Sequence, residues 1–417
     1  MAFLDRLRRP LKQLGPGLIT GAADDDPSGI ATYSQAGAQF GYGMLWSLIF
    51  TLPLMTAIQI VSARIGYVSG RGLAANMRRA FPRPVLVLLV SVLLMANILN
   101  IAADLSAMAA ALQLLVGGPT QVYAVAFGVA CVLMQVFLSY ETYVRWLKWL
   151  TLALLAYVGV VAVLGLDWVD VVKRTLHPQL TWNRDALLML VALLGTTISP
   201  YLFFWQASQE VEGRRHGHTR LSRDQVREHL RSIKVDTHVG MGFSNGIAFC
   251  IMLAAAATLH AHGVHDIQTS AQAVEALRPV AGEHAALLFS LGIIGTGLLA
   301  VPVLAGSAAY AVSEVVGWRS GLSLKLEHGQ GRGFYAVIAA ATLGGVALCF
   351  APVDPVKQLF WAAVFNGVTA VPIMAAMMVL ATRKDVMGEH VIGRKLRVMG
   401  WVATAVMALT VLALAVV

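Results

Sequence analysis

Long apolar runs separated by short polar breaks fill the chain from residue 14 almost to its end. A hydrocarbon core about 30 Å thick takes roughly 20 apolar residues per helix. Runs of that kind recur eleven times, over 14–39, 43–67, 85–115, 120–139, 146–166, 185–211, 233–259, 285–315, 334–351, 356–381 and 395–416. The pattern predicts an all-α polytopic membrane protein with about eleven transmembrane helices, forming a single membrane domain over 1–417. The longest polar stretch, Glu212 to Ser232, reads as an inner loop carrying a short amphipathic helix, so no separate soluble domain is expected.

Two runs break the pattern. The first contains Gly21-Ala22-Ala23-Asp24-Asp25-Asp26-Pro27-Ser28-Gly29, and the sixth contains Gly195-Thr196-Thr197-Ile198-Ser199-Pro200-Tyr201. Proline removes a backbone donor and drives the residue before it away from the α region, so Asp26 and Ser199 fall in unwound stretches. Polar backbone freed at membrane depth is tolerated where it lines a cavity or holds a ligand. Breaks five helices apart point to a 5+5 inverted repeat, with repeat one about 14–166, repeat two about 185–381 and an extra helix over 395–416. That architecture belongs to transporters.

Composition agrees: the 417 residues are 58% hydrophobic and 13% charged, with mean hydropathy +0.70, outside the range of a soluble domain. The net charge of +9 does not require a nucleic-acid partner, because its placement follows the membrane. With a cytoplasmic N-terminus, 26 of the 31 Lys and Arg residues fall in inner segments; Lys173, Arg174, Arg184, Arg278 and Lys357 fall outside. The positive-inside rule then sets the C-terminus outside. Three consecutive acidic residues also argue that the first run is part of the mature chain rather than a cleaved signal peptide. Cys131, Cys250 and Cys349 lie in apolar runs and read as small buried hydrophobes.

Asp24, Asp25 and Asp26 are the strongest chemical signal, since each Asp at the centre of a span costs about 2.5–3.5 kcal/mol on insertion scales. Consecutive helical residues point about 100° apart, so unwinding beside Pro27 makes Asp26 the direct ligand and leaves Asp25 in a second tier. A carboxylate, the Ser199 hydroxyl and free carbonyls near Thr196 make an oxygen-rich set suited to a hard cation. Asn97, Asn100 and Asp104 share one helical stripe, read either as a proton or water path or as helix–helix hydrogen bonding. Asn245 and Asn366 are candidate pathway-lining residues, with helix packing as the alternative. Gln206, Gln209 and Glu210 lie near an inner mouth, as a gate or as interfacially solvated groups. His260, His262, His265 and Asp266 read as a solvated outer loop rather than a metal cluster.

The runs Gly15-Pro16-Gly17, Asp26-Pro27-Ser28-Gly29 and Gln35-Ala36-Gly37-Ala38-Gln39-Phe40-Gly41-Tyr42, followed by Ala63-Arg64-Ile65-Gly66 and Gly70-Arg71, resemble the signature of the Nramp (natural resistance-associated macrophage protein) metal-ion transporters. The resemblance implies a leucine-transporter-like fold in which broken helices 1 and 6 bind a divalent transition metal, usually with proton co-transport. It places the metal-binding Asp on Asp26. The family's next ligand, an Asn, is Gly29 here; its helix-6 Met and His become Ser199 and Tyr201, which leaves Tyr201 lining the pathway. Its helix-3 Asp is kept as Asp104, whereas the acidic residue expected three positions on is Ala107. Loss of the thioether removes the soft ligand, and loss of the Asn side chain is expected to widen the site. The chain therefore looks like an atypical branch, similar to the Nramp-related magnesium transporters, with proton coupling in doubt.

The leading expectation is a secondary transporter of Mg²⁺ or Mn²⁺, using alternating access, with no bound cofactor. It would act as a monomer in what the resemblance implies is a bacterial inner membrane. A carrier of an amine, amino acid or other small organic solute on the same scaffold is the alternative. A membrane aspartyl hydrolase would need Asp104 in contact with Asp25 or Asp26.

Overall fold

The computed structural model describes residues 16–138, 151–178, 183–215, 223–322, 324 and 331–416. Gly15, the basic residues Arg6 to Lys12, and Arg145 and Lys148 at the start of the predicted fifth span lie outside the described residues. Among the described residues every regular element is a helix. The first half holds α1 (Pro16–Asp24), α2 (Pro27–Phe40), α3 (Leu45–Ser69), α4 (Arg83–Val116), α5 (Thr120–Phe137), α6 (Leu155–Val163) and α7 (Trp168–Leu176). The second holds α8 (Arg184–Thr197), α9 (Pro200–Arg215), α10 (Arg223–Thr258), α11 (Ala285–Val316), α12 (Arg332–Leu348), α13 (Pro355–Thr382) and α14 (Arg394–Val416).

Eight described segments are long and apolar enough to span a bilayer, or nine if the bent pair α6 and α7 is one span, against eleven apolar runs. Three local causes explain the difference. The first two runs share one helical segment, Pro27–Ser69, because the turn between α2 and α3 is a 3-10 helix at Gly41–Met44. Gly41 takes φ +56 there, open to glycine at little cost. The ninth run shortens to the 17 residues of α12, and the fifth is described only near its end. That end turns by 114° into α7, an amphipathic helix with Val171 and Thr175 buried and Trp168, Val169 and Leu176 exposed, as suits a helix lying along the interface.

The predicted loop from Glu212 to Ser232 is mostly helix. α9 runs on to Arg215, and α10 starts at Arg223 and continues into the membrane as a 36-residue helix. Its polar start still has an apolar stripe: Ile233, with Val226 and Leu230, packs on Ala63 and Tyr67 of α3. In the segment expected to be an outer loop, His262, His265 and Asp266 are exposed, and His260 is held more closely. His260 Nδ1 lies 2.7 Å from the Ala38 carbonyl, and its ring packs edge-on to His265 and beside Gly41.

Contacts between the halves are reciprocal. α10 packs along α1 and α2, while α3 packs along α9, and α4 packs against α11, α12 and α13; within the second half, α8 pairs with α13. Lipid gives helices no hydrophobic reason to associate, so close approach of small residues supplies the packing. Gly195 of α8 faces Gly367 of α13, where a Cβ on Gly367 would stand 2.6 Å from the Val191 carbonyl oxygen. Gly246, on an exposed face of α10, has open space around it. Gly367→Ala is therefore expected to cost about 1–3 kcal/mol through overpacking, read as a lowered melting temperature in detergent, whereas Gly246→Ala leaves the melt unchanged or raises it slightly. Equal melts for the two variants would contradict this account of the α8–α13 crossing.

Candidate functional site at the paired helix breaks

The first break is a helix start in the middle of the membrane. α1 stops at Asp24, and Asp26 takes an extended conformation (φ −72, ψ 169) as the N-cap of α2, with Pro27 in its first turn. Asp26 Oδ1 accepts from the Gly29 N–H at 2.7 Å and from the Ser28 hydroxyl at 2.9 Å. The second break has the same logic with a hydroxyl. α8 ends at Thr197, Ile198 leaves helical geometry (φ −120, ψ 60), and α9 starts at Pro200. Ser199 Oγ lies 2.9 Å from the carbonyl oxygens of both Gly195 and Thr196, so its one hydrogen goes back to one or the other.

Tyr201 joins the two breaks. Its hydroxyl lies 3.0 Å from the Ala23 carbonyl and 3.2 Å from Asp26 Oδ2. Asp26, Gly29, Thr196, Ser199 and Tyr201, separated by up to 175 positions in sequence, are thus one buried cluster of oxygen atoms. Asp26 is 2% exposed, so this conformation closes the site to solvent. Gly29 does not widen the site. A Cβ there would stand 3.2 Å from Thr196 Oγ1, 3.3 Å from the Tyr33 ring and 3.4 Å from the Asp24 carbonyl. Thr196 and Tyr33 occupy the volume that the missing side chain would release.

The other two acidic residues face away from this cluster, towards α10. Ser244 Oγ lies 2.8 Å from Asp24 Oδ2 and 2.9 Å from Asp25 Oδ1. A hydroxyl carries one hydrogen, so both contacts are hydrogen bonds only if one of the two carboxyls brings a proton of its own. At the far end of α1, the Gly17 N–H donates to Asp236 Oδ2 at 2.7 Å, an α10 carboxylate at the positive end of the helix. Ser244 and Asp236 were missed by sequence reasoning; the polar pair Ser244-Asn245 inside an apolar run was the available signal.

The remaining predicted residues serve different contacts. Asp104 is fully buried on α4; neither carboxylate oxygen has a hydrogen-bond partner among the described residues, though it lies within electrostatic reach of Asp26. Asn97 donates to the Leu304 carbonyl of α11 and Asn100 to Asn366 Oδ1 of α13, both at 2.9 Å, so this pair and Asn366 tie helices together. Asn245 sits beside Ser244 with its amide oxygen unpartnered. Of the residues expected near an inner mouth, Gln206 and Glu210 are buried and Gln209 is half-buried. Gln206 is buried between Gln59 and Thr237, and Glu210, 3% exposed, pairs with His229 at 3.0 Å.

The all-helical bundle with paired breaks is the architecture of a membrane transporter, and comparison with known proteins agrees. The sequence pattern described as "Natural resistance-associated macrophage protein-like" matches residues 17–417, and the chain belongs to the Nramp family of transporters. It is 28% identical over 306 residues to the divalent metal cation transporter MntH of Yersinia pestis (strain Pestoides F), covering 71% of this chain and 72% of that protein. It is 25% identical over 404 residues to MntH of Klebsiella pneumoniae (strain 342), covering 95% and 92%. Among solved structures, a point mutant of the Eremococcus coleocola manganese transporter superposes with a TM-score of 0.77 at 17% identity, over 97% of this chain and 86% of that one. MhsT in complex with L-phenylalanine, with a TM-score of 0.62 at 12% identity over 95% and 98%, shares the fold as well. Membership in a transporter family sets aside the aspartyl hydrolase, and Asp104 makes no hydrogen bond to Asp25 or Asp26.

The Tyr201 link carries a measurable cost. Tyr201→Phe keeps the ring but removes both hydroxyl contacts, and is expected to destabilise the closed conformation by about 0.5–1.5 kcal/mol, seen as a lower melting temperature and as faster hydrogen exchange at residues 23–29. Unchanged exchange there would mean that the breaks are held by packing alone.

Proposed function

We propose that the chain carries a divalent metal cation across the membrane by alternating access, with Mg²⁺ and Mn²⁺ preferred over softer ions. The observation that carries this reading is a buried carboxylate, Asp26, set between two helix breaks, with the Ser28 and Tyr201 hydroxyls and the Gly29 N–H around it and no sulfur ligand at Ser199. Asp26 supplies the charge, and the Thr196 carbonyl and Ser199 hydroxyl supply neutral oxygens from the second break. Hard cations take such a set, and the sulfur that would favour a softer ion is missing at Ser199. The names of the relatives, a divalent metal cation transporter and a manganese transporter, support the same class of cargo. For the ion to bind, the Ser199 hydroxyl must turn its hydrogen away from the Thr196 carbonyl, so that both oxygens present lone pairs.

Crowding weighs against an organic solute. The volume around Gly29 is taken by Thr196, Tyr33 and the Asp24 carbonyl, which leaves room for an ion sooner than for an amino acid. In this reading proton co-transport is dispensable, since Ala107 and Tyr201 stand where an acidic residue and a histidine were expected, and Asp104 alone remains. The distribution of Lys and Arg supports a cytoplasmic N-terminus and an outer C-terminus; the bacterial relatives support a bacterial inner membrane, and the single chain is the proposed working unit.

Titration calorimetry of the purified chain with Mn²⁺, Mg²⁺ and Cd²⁺ tests the assignment: Mn²⁺ or Mg²⁺ binds, and Asp26→Ala abolishes the heat. Silence from all three ions would move the assignment to an organic solute. In liposomes, Ser199→Met is expected to raise Cd²⁺ uptake relative to Mg²⁺ uptake, because a thioether adds a soft donor; an unaltered ratio would remove Ser199 from the ligand set.

A further inference from the structure

A groove of about 470 Å³ lies between α3, α10 and α14, with no residue of either helix break in its lining. One end is apolar, lined by Leu52, Pro53 and Ile60 of α3 and by Met399 of α14. The other end collects Arg64, Lys234 and Lys395 from the three helices, with His238 beside them, and no carboxylate lines the groove. Leu52 and Arg64 are twelve positions apart on one helix, about 18 Å along its axis. The groove is therefore polarised: apolar over a length comparable to part of an acyl chain, cationic at its end.

These cations are not spent on the protein. Arg64 is half-buried and its Nε is enclosed without a hydrogen-bond partner, and among the described residues no salt bridge reaches Arg64, Lys234 or Lys395. A guanidinium N–H sheltered from water without an acceptor is costly, and an anion in the groove would supply that acceptor. All three fall in segments assigned to the cytoplasmic side by their charge, where the leaflet is rich in anionic lipid. Basic pockets between membrane helices bind phosphorylated headgroups.

We propose that this groove binds an anionic phospholipid, its headgroup phosphate held by Arg64, Lys234 and Lys395 and one acyl chain lying along Leu52, Pro53, Ile60 and Met399. The apolar continuation of the groove is what selects a lipid over a free phosphate. Because α14 supplies one wall, the lipid links the helix outside the repeats to α3, whose Gln59 and Ser62 hydrogen-bond the Leu202 and Phe203 carbonyls just beyond the second break. Lys234 and Lys395 are exposed and take no part in the ion site, so replacing them spares the transport chemistry.

The test is native mass spectrometry of the purified full chain titrated with dioleoylphosphatidylglycerol or dioleoylphosphatidylcholine, alongside thermal melts with either lipid or with inorganic phosphate. The wild-type chain binds the glycerol lipid more tightly and is stabilised by it. Each of Lys234→Gln and Lys395→Gln lowers that affinity about fivefold, the double variant lowers it further, and Lys173→Gln/Lys357→Gln, at predicted outer positions, leaves it unchanged. Equal binding of the two lipids, full retention of binding in the double variant, or stabilisation by inorganic phosphate equal to that by the lipid would each overturn the proposal. The single variants preserve the test if the double variant fails to fold.

Discussion

A backbone group that leaves a helix at membrane depth must find a partner within the protein, because lipid offers none. That constraint organises the centre of this molecule. At the first break the Asp26 carboxylate replaces the missing helical acceptors by taking the Gly29 N–H; at the second, Ser199 returns its hydroxyl to a carbonyl of the turn before, Gly195 or Thr196. Tyr201 then satisfies the Ala23 carbonyl across the gap. Each break is closed by atoms that are themselves good cation ligands, so an arriving ion competes with hydrogen bonds rather than filling inert space. In the proposed transport cycle, a site built this way would release its ion into a conformation that already satisfies its own polar groups, which is what a carrier needs if it is to return empty.

The three consecutive aspartates show how the same constraint divides labour. Unwinding turns Asp26 towards the second break, while Asp24 and Asp25 face α10 and share the single hydroxyl of Ser244. One hydrogen cannot serve two carboxylates, so this pair holds together with a proton of its own or with a cation close by. Charge near the breaks is therefore distributed over two places, one on each side of the unwound segment. The Asp236 carboxylate at the Gly17 N–H fixes the other end of α1 to the same helix, so α10 grips the first broken helix at both ends.

Much of this was legible in the sequence because the signals were local. Pro27 and Pro200 marked both breaks, the acidic residue before Pro27 marked the carboxylate that caps α2, and the long apolar runs fixed α4, α10, α11, α13 and α14 to within a few residues, apart from the early start of α10. What sequence could not reveal depends on partners distant along the chain. Ser244 is ordinary until it stands between Asp24 and Asp25, and Asn97 and Asn100 could be read as a path until Leu304 and Asn366 were seen to take their amides. The expected widening at Gly29 failed for a related reason: a deleted side chain leaves a hole only if its neighbours stay still, and Thr196 and Tyr33 fill the space.

That closure bears on selectivity. If loss of the Asn side chain had simply enlarged the site, preference for a hydrated Mg²⁺ would follow from volume. With the volume taken up, selectivity has to come from donor chemistry and from how far α9 moves relative to α1 when the site opens. Replacing a thioether by the Ser199 hydroxyl removes an advantage that soft ions had and gives nothing to a particular hard ion. Mg²⁺ and Mn²⁺ then differ mainly in how readily they shed water, and Mg²⁺ holds its shell more tightly. A site that stays narrow on binding favours Mn²⁺, whereas one that opens at the Tyr201 link enough to admit coordinated water favours Mg²⁺. In the proposed cation site, the hydroxyl of Tyr201 is thus the contact on which the choice between the two ions would turn.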